Sequence, residues 1–266
     1  MEAVINIMLN HLDVLLLMMI RVAGILVLAP VFNFPGFNNL AKIGLSFMIA
    51  LILFLSMPDG ALPVPPQELF GYVIVVAQEL LLGLAIGFIL QLLFAAILTA
   101  GHLIDIQLGF GIVNIIDPLW GAQVPMTGVF LQILALLIFV IFDGHLLLIQ
   151  VLADSFRILP AAGSPFSLAL AGSISDFIVR LVSGVLLIGV QLAMPIIGII
   201  LINDIALGLV SRTVPQMNLF VIGIPLKIIV GVAFLWITLP FYIDGLNRLF
   251  TLSFTQVSDF LRILSP

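Results

Sequence analysis

The chain has 266 residues, of which 63% are hydrophobic and 8% charged, with a mean hydropathy of +1.40 and a formal net charge of -5. Charged residues make up about a quarter of a soluble domain, and eight basic plus thirteen acidic side chains cannot cover a soluble fold of this length. A soluble globular protein is therefore excluded, and an integral membrane protein is indicated. There is no cysteine, hence no disulfide framework, thiolate metal site or cysteine nucleophile, and no acidic or basic tail that would point to nucleic acid or an anionic lipid surface as the main partner.

At the N-terminus Glu2 and Asp13 stand where a cleavable signal would carry positive charge, so this segment is expected to be mature sequence. The first apolar run, 12 to 31, contains Arg21, and the second covers 40 to 57. The connection "SMPDGALPVPPQE" (56 to 68) is rich in Pro and Gly and predicts a water-exposed loop. The third run, 69 to 100, is longer than the roughly 20 residues a span requires. It carries Glu79 and a Gly83-x-x-x-Gly87 spacing that predicts close helix packing, and Asp105 follows it.

The segment from Gly109 to Pro125, "GFGIVNIIDPLWGAQVP", concentrates helix breakers, so a loop is expected between helices. Such a backbone is tolerated at membrane depth only when buried in protein or lining a water-filled cavity. It reads equally as a re-entrant or pore-lining loop and as an ordinary extramembrane connector. The fourth run, 124 to 142, is followed after "DGH" by "LLLIQVL", which either extends the helix or folds back as a half-helix. "LPAAGSPFS" (159 to 167) predicts a second exposed loop. The fifth run, 177 to 202, is uncharged from Leu181 to Ile202 and contains Pro195 together with Gly184, Gly189 and Gly198, at which close helix packing is expected as well. The sixth, 219 to 243, contains Pro225 and Lys227. Both prolines remove a helix hydrogen bond, so kinks are expected.

These six segments predict an all-α polytopic membrane protein of about six long hydrophobic helices, kinked or broken in places and arranged as helical hairpins. An N-terminal sub-bundle (1 to 160) would precede a C-terminal hairpin and tail (161 to 266). Lys and Arg are too scattered for charge bias to set the orientation. An ionised side chain at mid-bilayer costs about 2.5 to 3.5 kcal/mol even on insertion scales. Arg21, Glu79, Asp105, Asp204 and Lys227 must therefore face something other than lipid. Pairing with one another or with partner subunits is favoured over a proton or ion relay. Walker-type, H-E-x-x-H and G-x-S-x-G motifs are missing, and His11, His102 and His145 are dispersed. No enzyme activity, cofactor or metal is expected.

Between the last two runs lies "DIALGLVSRTVPQMNLFVIGIPLK", which concentrates polarity in an otherwise apolar region. Its Asp204, Leu207, Gly208, Arg212, Pro215, Gln216, Met217, Asn218, Phe220, Gly223, Pro225 and Lys227 resemble, in order, the signature of the flagellar biosynthetic FliR family, shared with the injectisome export-gate subunit. Residues 29 to 47, 79 to 111 and 143 to 160 agree with further family blocks, so the resemblance covers most of residues 20 to 245. It implies a pore-forming subunit of the type III secretion export gate in the bacterial inner membrane and flagellar basal body. Its partners would be FliP and FliQ, with the large export-gate protein FlhB or FlhA, membrane lipid and the unfolded flagellar proteins in transit.

The resemblance further implies that much of the assembly rises above the lipid slab, so six apolar runs need not be six lipid-exposed spans. A plug is expected at Gly109, Phe110, Gly111, Ile112, Asp117, Pro118 and Gly121. Subunit contacts are expected at Asp204, Arg212, Pro215, Gln216, Asn218 and Lys227. The alternatives are a secondary transporter of a small solute, with Asp105 and Asp204 in ion coupling, and a purely structural membrane scaffold. A transporter works in isolation, whereas a gate subunit needs its partners.

Overall fold

The computed structural model describes residues 11–32, 38–57, 65–66, 68–110, 125–163, 171–214 and 219–265. Among them the chain is all-α, with no strand: α1 Leu12–Leu28, α2 Asn39–Ser56, α3 Leu69–Leu108, α4 Met126–Ile141, α5 Gly144–Ile158, α6 Ala171–Thr213 and α7 Leu219–Leu264. The seventh helix beyond the six expected arises at "DGH". There α4 and α5 meet at a 70° bend, with Asp143 in the left-handed region at φ 54°. The apolar patch after residue 145 thus turns away from α4 instead of extending it. Four helices, α2, α3, α6 and α7, are long and apolar enough to cross a membrane, and the bent α4–α5 pair would be a fifth if it makes one broken span.

By contact the chain forms two units that interleave in sequence, in contrast to a division in chain order at residue 160. One comprises residues 1–92, 143–181 and 251–266, the other residues 93–142 and 182–250. α3, α6 and α7 each contribute a segment to both. In the first unit α1 supplies much of the core, with Val14, Leu17, Met18, Val22, Ile25 and Leu26 all buried. They pack with Leu82 and Ile86 of α3, Leu152 and Phe156 of α5, and Val257, Phe260 and Leu261 of α7. A helix of 17 residues, at the lower limit for a span, thus buries one side in protein while Leu12, Leu16 and Val27 stay exposed.

The second unit is organised around three aromatic rings. Phe139 of α4 meets Phe250 of α7 edge to face at 5.3 Å, and Phe94 of α3 lies 6.5 and 6.1 Å from the two, within the range where aromatic pairs attract. Pro195, Pro225 and Pro240 lie inside continuous helices. The Tyr242 hydroxyl donates to the Leu192 carbonyl at 2.6 Å, three residues before Pro195, where the proline ring weakens the helix's own bonding.

Without a hydrophobic force between helices in lipid, association rests on van der Waals contact, and small residues allow it. At Gly83 an added Cβ would run into the Arg21 backbone carbonyl, and at Gly87 it would come 2.9 Å from the Ile25 carbonyl. Gly24 of α1 faces Gly83 in turn, with Gly83 Cα 3.1 Å from an added Cβ. The expected G-x-x-x-G thus brings α1 against α3 backbone to backbone. A second crossing, not anticipated from the sequence, joins α3 to α4, where Gly101 meets the backbone of Gly128. Of the three glycines in the fifth run only Gly189 makes a close contact, 3.1 Å from the Ala96 carbonyl; Gly184 and Gly198 have no atom within 4 Å.

Gly83→Ala is therefore expected to destabilise the chain by about 1–3 kcal/mol, because the obstructing atoms are backbone. Gly184→Ala should be neutral or stabilising by up to about 1 kcal/mol, the gain in helix propensity. Thermal unfolding in mild detergent, followed by circular dichroism, checks both, and equal melting temperatures would rule out a tight α1–α3 crossing.

Candidate functional site

Arg21, Glu79 and Asp105, the charges noted inside apolar runs, are all buried. The structure brings the first two together. Arg21 Nε donates to Glu79 Oε2 at 2.6 Å and Nη2 donates to Oε1 at 3.0 Å, a two-pronged pair of the kind that matches guanidinium to carboxylate. Arg21 Nη1 donates to the carbonyls of Ser155 (3.0 Å) and Leu159 (2.9 Å). Ser155 lies in the last turn of α5, where its carbonyl also accepts the Leu159 N–H, and Leu159 is the C-cap residue, so a cation sits where the helix dipole places partial negative charge. The Phe156 ring covers the guanidinium, 4.2 Å from Cζ. Glu79 Oε1 also accepts the Ala162 N–H at 3.1 Å, in a turn where Ala162 is left-handed at φ 63°. One ion pair thus fastens α1, α3, the end of α5 and the turn that follows.

Asp105 has a different task. Helix α4 begins after Pro125, which has no side chain able to cap it, and Asp105 of α3 supplies the missing acceptor. Its carboxylate accepts the Thr127 N–H at 3.1 and 3.2 Å and the Thr127 hydroxyl as well. An anion at a helix N-terminus is favourable. Four residues on, α3 ends in a Schellman turn: Gly109 is left-handed at φ 88°, its N–H donates to Ile106, and the Phe110 N–H donates to Asp105. Gly109 and Phe110 of the expected plug are therefore a helix stop. Gly111, Ile112, Asp117, Pro118 and Gly121 lie outside the described residues. What is described is the stem: Asp105 holds the start of α4 beside the end of α3.

The polar stretch near the end of α6 divides similarly. Asp204 Oδ1 and Lys227 Nζ pair at 2.7 Å between α6 and α7. Arg212 is exposed in the last turn of α6. Pro215, Gln216 and Asn218 fall outside the described residues. No group of three or more His, Asp or Glu able to hold a metal occurs among the described residues. Thr127, Ser155, Gly24 and Gly128 escaped the sequence reading. Thr127, two residues after a proline and opening an apolar run, carries a helix-start signal, but nothing local shows that its capping acid is 22 residues away.

Removing one member of a buried ion pair costs about 3–5 kcal/mol, while replacing both by apolar residues is far milder. Glu79→Leu is expected to destabilise by that amount and Arg21→Met/Glu79→Leu by less. Detergent melts of the single and double variants check this, and equal losses would leave no coupling between the two charges.

Residues 12–253 match the family described as bacterial export proteins, family 1. Among its relatives is the flagellar biosynthetic protein FliR of Pectobacterium carotovorum subsp. carotovorum, 35% identical over 252 residues that cover 92% of each chain. FliR of Escherichia coli (strain K12) is 33% identical, covering 91% of this chain and 90% of the relative. FliR of Bacillus subtilis (strain 168) is 32% identical, covering 94% and 95%. With most of its length matched, the chain belongs to bacterial export proteins, family 1, the FliR family that its Asp204 to Lys227 stretch resembles.

Proposed function

We propose that this chain is a structural, pore-forming subunit of the flagellar type III secretion export gate, which passes unfolded flagellar proteins across the bacterial inner membrane at the basal body. FliP and FliQ are the proposed neighbours, with FlhB or FlhA as a further partner. One observation carries the subunit reading. Exposed apolar side chains continue along α6 from Val182 to Val210, about 42 Å at 1.5 Å per residue, and along α7 from Val221 to Phe241, about 30 Å, after which Asp244, Asn247 and Arg248 are exposed. The hydrocarbon core is about 30 Å thick. Lipid alone would cover the α6 stripe only at a tilt of about 44°, beyond the usual range of 0–40°. Other protein must cover the remainder, as a multi-subunit gate would. Asp105 and Asp204, the acids a transporter would use for ion coupling, already hold partners within the chain.

The segment between Gly109 and Pro125 is proposed as the plug, and Arg212 with Asp204, Pro215, Gln216, Asn218 and Lys227 as subunit contacts. The Asp105 stem supports the plug reading: a closure element needs both of its ends anchored at one place, and Asp105 and Thr127 provide that anchor.

Co-expression with FliP and FliQ should yield a complex of defined mass by native mass spectrometry in mild detergent. A chain that remains monomeric beside its partners would return it to the transporter reading. Shortening residues 112 to 121 should leave that complex intact and raise ion leakage through it, since closure of a pore depends on groups filling the lumen. An intact loop-shortened complex with wild-type permeability would remove the plug.

A further inference from the structure

Two of the ion pairs among the described residues, Arg21–Glu79 and Asp204–Lys227, differ in what surrounds them. Around Arg21 and Glu79 the chain supplies further partners, namely two carbonyls, an N–H and an aromatic face. Asp204 and Lys227 have only their single 2.7 Å contact among the described residues. An ammonium has three donors and a carboxylate about four acceptor positions, so most of their hydrogen-bonding capacity is unmet. The side chains are 33% and 25% exposed, so the pair opens outward. Around it the surface is apolar: Leu201, Ile202 and Ile205 on α6 and Leu226 and Ile229 on α7 are all exposed. Asp204 lies within the α6 stripe that is longer than lipid covers, and Lys227 within the apolar stripe of α7. Hydrocarbon cannot satisfy it, and a polar group left unmet there is costly.

We propose that the Asp204–Lys227 pair is the polar centre of an interface that receives a membrane helix of another subunit carrying a hydroxyl or carboxamide side chain. This rests on the subunit reading above and deepens it. The partner group should be neutral, because the pair is itself neutral and a third charge would be buried without compensation. Hydroxyls and carboxamides both donate and accept, so one side chain can donate to the free carboxylate oxygen and accept from a remaining ammonium N–H. The apolar ring of Leu201, Ile202, Ile205, Leu226 and Ile229 would exclude water from the contact, as residues surrounding an interface centre do.

Two double variants test this in the complex with FliP and FliQ, with the isolated chain as the folding control. Asp204→Leu/Lys227→Met removes the polar centre at similar volume. It should leave the melting of the isolated chain unchanged or higher but reduce the yield of complex at least about tenfold. Asp204→Asn/Lys227→Gln keeps hydrogen bonding without charge and should restore at least about half of the wild-type yield. A wild-type complex alongside an unaffected apolar variant would overturn the interface alone and leave the pair facing lipid, headgroup phosphates included. Equal loss in both variants, with normal melting of each isolated chain, would also overturn it in favour of a contact that requires the charges. If the wild-type chain itself forms no complex, the subunit reading fails and the interface with it.

Discussion

The bond between Arg21 and Glu79 is the constraint around which the first unit is organised. A charge on α1 and a charge on α3 are each unaffordable inside apolar surroundings, and neither helix can place its charge without the other. Their pairing does more than neutralise. Arg21 also terminates α5 by bonding the Ser155 and Leu159 carbonyls, and Glu79 fixes the next turn through Ala162. The geometry of three helices and a turn thus follows from satisfying one guanidinium and one carboxylate. Gly83 is four residues from Glu79 on α3, where it brings the α3 backbone against the Arg21 carbonyl. Close packing and charge pairing therefore occur at adjacent turns of the same crossing, and each holds the other in register.

The second unit uses the same kinds of interaction in another way. Asp105 pairs with no cation among the described residues; its charge is spent on the N-terminus of α4, whose N-cap residue is a proline. Gly101 and Gly128 bring the two helices into contact beside it. The end of one helix and the start of the next are thereby fixed together, although 14 undescribed residues, 111–124, separate them.

Burial within the chain falls from α3 to α7: over their most apolar windows, 56% of the α3 window is buried but only 11% of the α7 window. α3 is therefore a helix of the chain's own interior, whereas α7 and α6 present their apolar surface outward. The apolar stripe of α6 is longer than a bilayer covers. In a soluble protein such surface would be an aggregation hazard; on the proposed reading it divides between lipid and neighbouring protein, with the Asp204–Lys227 pair on the protein side.

Composition alone determined the solvent: too few charges to face water means helices whose backbone bonds are satisfied internally. The period and length of the apolar runs then located the helices, and the spacing of Gly83 and Gly87 marked a tight crossing, because these are local properties of a chain in hydrocarbon. The ordered signature from Asp204 to Lys227 identified the family. The pairings were not legible. Arg21 and Glu79 are 58 residues apart, and Asp105 caps a helix through Thr127, 22 residues further on. Nothing in the local sequence distinguishes an acid that binds an arginine from one that caps a helix. Gly184 and Gly189 look alike in the same run, yet only Gly189 has a neighbour close enough to require the missing side chain. A residue's type sets which contacts it can make, but the partner is chosen by which helices cross at that level, and only the tertiary structure decides that.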